Sequence, residues 1–566
     1  MSRLEGNWPV MLSLVIVAVF YLSVGFFSIN IPNSDDFNVY LEFLLRLQGT
    51  TEFGQWATLL FTPHNEHYIV VPRLVALLQW LICGEINFVW LNIIGSLALL
   101  VCLVLFYCQS TLDRWNRRYL FLVLSLMICH PQYSEATIWA TAALSNLWVI
   151  AFAMLSFAMA GKGTVAAFAE GGCLAILATF TQGNGILVLP LLLLTEVFAG
   201  RFRRAIFVAV LFVVLFFFMQ SDTVGHLNGL AELGLFPYFI QCLDYSLTFL
   251  GSTLSFGSHQ MAVGMGFVVI LGAISLTWVR YDQINVTIFS LLLFCIATAL
   301  AQSLVRGHLG VDYALVTSRY KIVSIVAFAC LFAGIVESSS NVARQRGLLL
   351  IGVLCAGVTC FTSWLNNSIE LPFRRQFLAD SLQRWQLVGA ALEHPMPELA
   401  DRIMREAVDA GIYHLPAVGR GDLQRAAPLA GVPEAKGQIV HALEHLVLTD
   451  RFLFIRGWAF VFGEESIGSR ISVTLVGAEN RYVIPTANRL RCDVTAYHRV
   501  YFDQGNLDYS GFQVLLERKE LFAGNYRIGV MLEKGDERLF VDTGKTVDIS
   551  AGNYTAHTLI PRSITP

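Results

Sequence analysis

The chain has 566 residues, of which 55% are hydrophobic and 14% charged, and its mean hydropathy is +0.60. That composition excludes an ordinary soluble enzyme and identifies a polytopic membrane protein. With a formal net charge of -3 and neither a basic stripe nor a zinc finger, no nucleic-acid partner is expected.

The first apolar run, near residues 8–29, has about the 20 residues needed to cross a hydrocarbon core and lacks the small-residue cleavage site of a signal peptide. It is expected to be a retained first transmembrane helix. The loop after it, 30–86, opens with adjacent carboxylates, Asp35 and Asp36. Such a pair suits a solvated loop, and it equally suits the mouth of a membrane cavity, where a carboxylate can deprotonate a hydroxyl nucleophile. From Phe37 to Gln48, apolar Phe37, Tyr40, Leu41, Leu44, Leu45 and Leu47 are set against Asn38, Glu42, Arg46 and Gln48, a pattern for a helix lying in the membrane interface. The stretch Tyr68 to Cys83 is short for a span and carries Pro72 and Arg73, so a juxtamembrane or re-entrant helix is predicted there.

Further spans are predicted near 87–108, 119–135, 137–160, 164–181, 185–200, 205–220, 262–280, 284–304, 318–336 and 347–364, for about 11 in all. Basic residues set their orientation, because short cytoplasmic loops are rich in Lys and Arg. Arg114, Arg117 and Arg118, then Arg201, Arg203 and Arg204, then Arg280, then Arg344 and Arg346 mark four such loops. The N-terminus is then cytoplasmic and everything after Trp364 lies outside, which in a bacterium is the periplasm. The domains expected are a transmembrane domain over 1–364, a helical periplasmic linker region over 365–430, a β-sandwich over 431–552 and a tail over 553–566.

The last 200 or so residues have the polarity of a soluble region. Residues 372–412 read as helices, and from about 437 onward short alternating runs such as Ile471-Ser472-Val473-Thr474-Leu475-Val476 read as strands of a β-sandwich. Trp458, Tyr482, Tyr497 and Tyr509 offer faces that stack on a sugar or pack the sandwich. Ten of the 11 cysteines lie in or beside apolar spans and one, Cys492, in the outer region, so no disulfide framework is expected.

The polar outer loops collect the chemistry. They hold Asp35 and Asp36; Pro63-His64-Asn65-Glu66-His67-Tyr68 with Arg73; His130 to Glu135; Thr181-Gln182-Gly183-Asn184-Gly185; and Arg306 through Tyr313 to Thr317-Ser318-Arg319-Tyr320-Lys321. Carboxylates beside Arg, Lys and His suit transfer from a lipid-linked phosphate sugar, where cations hold the leaving phosphate and a base takes the acceptor proton. Arg73, Arg306, Arg319 and Lys321 are candidate phosphate ligands, with His64 and His67 as further phosphate contacts. Asp35 or Asp36 is the candidate base. Arg73 and Lys321 equally suit snorkelling to lipid headgroups, and Arg306 and Arg319 equally suit pairing with Asp312. Glu66, Tyr68, Glu135, Gln182, Asn184 and Tyr320 are candidate substrate contacts. His64 and His67 with Glu66 lack a third convincing metal ligand, so no cofactor is expected and a divalent cation has no clear ligand set.

The acidic pair just after the first span, the surface helices of the same loop, Asn65-Glu66-His67-Tyr68 through Pro72-Arg73-Leu74, Gln182-Gly183-Asn184-Gly185 through Pro190, and Ser318-Arg319-Tyr320 resemble the GT-C type integral-membrane glycosyltransferases of bacteria. The resemblance covers Arg3 to about Trp364. It implies a polyprenyl-phosphate-linked sugar as donor, a first-loop acid as base and inversion at the anomeric carbon. It further implies a periplasmic acceptor, such as an O-antigen glycan or a type IV pilin. The outer region lacks the WWD-type motif of oligosaccharyltransferases, so transfer of a single sugar is expected. A flippase for a lipid-linked glycan and a non-catalytic, glycan-binding scaffold are the alternatives. Charges at span ends, not along the spans, argue against the former.

Overall fold

The computed structural model describes residues 7–65, 67–219, 234–389, 392, 394–416, 423–429, 439–502, 505–535 and 537–549. Two compact units emerge, Met1–Asn367 with Ile403–His414, and Ser368–Arg402 with Leu415–Pro566.

The first unit is helical and is that of a multi-pass membrane protein. Seven helices among the described residues are long and apolar enough to cross a bilayer: Trp8–Phe27, Phe88–Gln109, Ala140–Gly161, His259–Trp278, Val286–Leu309, Ser318–Glu337 and Val342–Val388. The other four expected spans also fall on helices, but shorter ones: Arg114–Ile128, Val165–Thr179, Val188–Phe198 and Phe202–Phe218. Asp113 starts the first of these by accepting from the N–H groups of Trp115 and Asn116. The helix stops where Pro131 opens a 3-10 turn.

A helix absent from the expected set, Leu235–Gly251, carries Gln241, Asp244 and Ser246. Those side chains interrupt its apolar run and hide it from a hydropathy reading. It packs against His259–Trp278 through backbone approach at two glycines. A Cβ on Gly266 would lie 2.1 Å from the Leu247 carbonyl oxygen, and one on Gly251 would lie 1.9 Å from that of Ala262.

The first loop departs from the expected pattern. Phe37–Glu42 is a π-helical turn running into the short helix Phe43–Gln48, and Phe37, Tyr40, Leu41, Leu44 and Leu47 are all buried within the protein. The amphipathic pattern marks protein packing here, correcting the expectation of an interface helix. Burial of aromatic and leucine side chains against protein is rewarded by dispersion and water exclusion, and sequence periodicity does not distinguish this from burial in lipid. The helix Val70–Cys83 does present an apolar outer face, with Leu78, Leu81 and Ile82 exposed and Pro72, Arg73, Ala76 and Gln79 turned inward.

The second unit is strand-rich. We number its strands β1 (Leu423–Gln424), β2 (Ala427–Pro428), β3 (Ile439–Leu448), β4 (Phe452–Val461), β5 (Arg470–Val476), β6 (Arg481–Pro485), β7 (Ala487–Arg489), β8 (Gly511–Glu517), β9 (Gly524–Lys534) and β10 (Glu537–Ile549). One sheet runs β1-β8-β4-β3 with β7 also on β8, and the other runs β10-β9-β5-β6-β2. Ile455, Phe512 and Val514 of the first sheet share a core with Val473, Ile484 and Val530 of the second.

Strands β1 and β2 fall inside 365–430, the region expected to be a helical linker. They are two residues each, too short for alternation to register, and they form only because β8 and β6 offer edges. The helix Val342–Val388 runs unbroken through the composition change at Trp364 and through Pro372. Its Leu387 and Val388 pack on Val447, Phe454 and Leu515. Tyr482, one of the four aromatics offered for sugar stacking, is buried in the sheet core beside Tyr526, whereas Tyr497 is exposed. All 11 cysteines are free thiols. The expected tail, 553–566, lies outside the described residues.

Candidate active site

The first helix ends at Phe27, and Ser34, with a φ of 48°, turns the chain so that Asp35 and Asp36 point different ways. Asp36 goes inward. It is 1% exposed, and its Oδ1 accepts from the Thr141 backbone N–H (2.9 Å) and the Thr141 hydroxyl (2.7 Å). Its Oδ2 accepts from the Asn33 N–H (3.0 Å). Burial raises the Asp36 carboxyl to about 7, against the opposing pull of those three donors. Asp36 thus ties the first loop to the start of Ala140–Gly161.

Asp35 goes the other way. Its side chain is 38% exposed, and its Oδ1 lies 3.4 Å from His64 Nε2. His64 is held by a tight reversal in which its N–H donates to His67 O (2.8 Å) and the His67 N–H donates back to His64 O (3.0 Å). Asn65, with a φ of 50°, makes the reversal, a conformation asparagine tolerates better than most residues. Glu66 lies outside the described residues.

Asp35, His64, His67, Gln182, Arg306, Arg319 and Tyr320 line one cavity of about 140 Å³, together with Asn65, Ile69, Trp139, Thr141, Ala142, Ser145 and Asn146. The two arginines converge on a single oxygen. Arg306 Nη1 donates to the Tyr313 hydroxyl (3.1 Å) and Arg319 Nη2 donates to the same oxygen (3.0 Å). Both guanidinium groups lie over the Tyr320 ring, at 5.9 and 5.0 Å, and Arg319 also faces Trp139 at 5.2 Å. Glu135 Oε2 accepts from the Arg319 backbone N–H (3.2 Å) and side chain (3.4 Å), so its role here is to orient Arg319. Asp312, the expected alternative partner, is exposed. Two guanidinium groups with the geometry to cradle an oxyanion thus share one cavity with a carboxylate and an imidazole.

Gln182-Gly183-Asn184-Gly185 reaches the site by close approach. A Cβ on Gly183 would lie 2.5 Å from His67 Nδ1, and one on Gly185 would lie 1.8 Å from Ala178 O. Asn184 Nδ2 donates to Thr298 Oγ1 (3.2 Å), outside the cavity lining. The Tyr68 hydroxyl donates to Phe218 O (3.5 Å), and Lys321, half-buried, is likewise not part of that lining.

Arg73 is separate. It lines a second cavity of about 200 Å³ with Asn38, Glu42, Phe43, Arg46, Leu59, Thr62, Pro63 and His64, so His64 is shared by the two cavities. Arg73 is 5% exposed, which removes the headgroup-snorkelling alternative. Its Nη1 donates to the carbonyl oxygens of Leu59 (3.4 Å), Leu60 (3.2 Å) and Thr62, and it lies over Phe43 at 5.4 Å. Burial lowers its pKa to about 10, which leaves it cationic at neutral pH.

Five lining residues, Trp139, Thr141, Ala142, Ser145 and Asn146, fall within the expected span 137–160. Ser145 and Asn146 lie in a π-helical turn, Ala143–Leu147, with Trp139, Thr141 and Ala142 just before it, and such turns recur at functional sites because they re-aim side chains. The Trp139 indole N–H is buried with no hydrogen-bond partner. The readable signal is polar Thr141, Ser145 and Asn146 in an otherwise apolar run. Among the described residues, no group of three or more His, Cys, Asp or Glu side chains is placed to hold a metal ion. Comparison of the chain with protein families, curated proteins and solved structures finds no match.

Proposed function

We propose that the protein is a GT-C type membrane glycosyltransferase that moves a single sugar from a polyprenyl-phosphate donor to a periplasmic glycan or surface-protein acceptor. In this proposal about 11 helices span a bacterial inner membrane, with the N-terminus in the cytoplasm and the second unit in the periplasm. The observation that carries the proposal is one cavity holding Asp35, His64, Arg306 and Arg319, residues up to 284 positions apart (319 − 35).

Asp35 takes the proton of the acceptor hydroxyl as that oxygen bonds to the anomeric carbon from one face. The bond from that carbon to the phosphate oxygen breaks on the other face, inverting the centre. The electron pair leaves on the polyprenyl phosphate, whose charge Arg306 and Arg319 stabilise in place of the Tyr313 hydroxyl. His64, 3.4 Å from Asp35, orients the carboxylate. No cofactor enters the step. Asp36, buried and bonded three times, positions the loop.

The test is mass analysis of surface glycans and pilin from a strain lacking the gene, complemented with wild type, Asp35→Asn or Arg306→Gln/Arg319→Gln, each checked for membrane level. Loss of one hexose or pentose mass in both variants is expected. Full restoration by both would remove the proposal.

A further inference from the structure

The second cavity is built around a buried cation. Arg73 is 5% exposed, and its Nε has no hydrogen-bond partner. Its bonds are donated to three neutral carbonyls. The carboxylate in the same lining, Glu42, is occupied elsewhere, accepting from Arg46 (2.7 Å) and from Asn38 (3.0 Å). Among the described residues the buried guanidinium is balanced by carbonyl dipoles, and such a group favours an anionic ligand, since desolvation makes an unpaired charge costly.

We propose that this cavity binds a carboxylate group carried by the acceptor saccharide, with Arg73 as its cationic partner. Three features choose that ligand. Glu42 lies in the same lining with its partner Arg46, and its carboxylate opposes a doubly charged phosphate more strongly than a singly charged carboxylate. Asn38 and Thr62 offer an amide and a hydroxyl for ring hydroxyls, while Phe43, Leu59 and Pro63 supply apolar surface for the C–H face of a sugar ring. His64 lies in both linings, so a saccharide seated by Arg73 abuts the Asp35 cavity. The word acceptor rests on the transferase proposal, whereas carboxylate binding does not.

Binding of glucuronate and of glucose to the full chain in phosphatidylcholine nanodiscs tests this without any donor. Wild type is expected to bind glucuronate roughly tenfold or more tightly than glucose, the scale of one hydrogen-bonded charge pair. Leu59→Trp fills the cavity while keeping the Leu59 carbonyl on Arg73, and it is expected to abolish that preference. Arg306→Gln/Arg319→Gln is expected to leave it within about twofold. Equal binding of the two sugars by wild type overturns the proposal. So does a preference that survives Leu59→Trp but is lost in the double arginine variant, which would place the anion at the oxyanion cradle. If the preference behaves as expected while the strain test shows no sugar loss, the transferase proposal fails and the carboxylate site stands.

Discussion

Replacing each of the two adjacent aspartates by asparagine separates folding from chemistry. At Asp36 the side chain is buried and accepts three hydrogen bonds, two of them from Thr141. An asparagine keeps one acceptor oxygen and presents an NH2 group to at least one donor, leaving two N–H or O–H groups facing each other. At pH 5, where the buried carboxyl holds its proton, one lost hydrogen bond costs about 0.5–1.5 kcal/mol, and the unsatisfied buried donor adds about 1–3 kcal/mol. Asp36→Asn should therefore lower stability at pH 5 by roughly 2–4 kcal/mol. At Asp35, whose side chain is 38% exposed and lies 3.4 Å from His64, the same change should cost less than about 1 kcal/mol. It should also slow transfer by about 10²–10⁴-fold, the usual contribution of a positioned base. Thermal unfolding of the purified variants, read beside sugar transfer in the complemented strain, makes the comparison. A stable but inactive Asp36→Asn together with a fully active Asp35→Asn would refute the reasoning and exchange the two roles.

The raised carboxyl of Asp36 also predicts a pH dependence. The folded chain holds that proton up to about pH 7, whereas an unfolded carboxylate releases it near about pH 4. The folded state binds more protons across that window, so this contribution to stability is full below about pH 4 and is lost as pH rises through 7, up to roughly 4 kcal/mol. Unfolding midpoints at pH 5 and pH 8 should differ more for wild type than for Asp36→Asn, and equal differences would remove the assignment. Gly185→Ala should destabilise the chain or prevent its accumulation, because its Cβ would meet the Ala178 backbone at 1.8 Å, and normal expression and melting would contradict that packing. Tyr313→Phe removes the oxygen on which both arginines converge, and transfer should fall by about tenfold or less, because the donor phosphate supplies a replacement acceptor. A complete loss of transfer would instead make the hydroxyl part of the chemistry.

Much of the membrane architecture was legible because hydropathy is a local property. Each of the 11 apolar runs overlaps a helix, and the change of composition near Trp364 precedes the strand-rich region, although one helix continues across it to Val388. Leu235–Gly251 escaped because Gln241 and Asp244 dilute its apolar signal, and β1 and β2 escaped because two residues carry no period. Several polar segments of the cavity were legible by residue type: an acidic pair, a histidine turn, a glycine pair and two arginines. Trp139 carried no signal and Tyr313 stood out only as part of its polar loop, since an aromatic in a membrane chain has many packing roles and its polar atom shows its use only in place.

By itself the sequence determined the membrane class, the helical segments, the strand-rich region and the residue types available for chemistry. Length, hydropathy and alternation follow from the order of residues and need no long-range contact. Tertiary structure alone decided that Asp35 faces the cavity while Asp36 is buried against Thr141. It also decided that Arg306 and Arg319 meet at Tyr313 while Arg73 stands in a second cavity beyond His64. The physical reason is that direction is set by backbone dihedrals and packing. A φ of 48° at Ser34 and a π-helical turn at Phe37–Glu42 send neighbouring side chains to different environments, and no periodicity in the residues themselves records that choice.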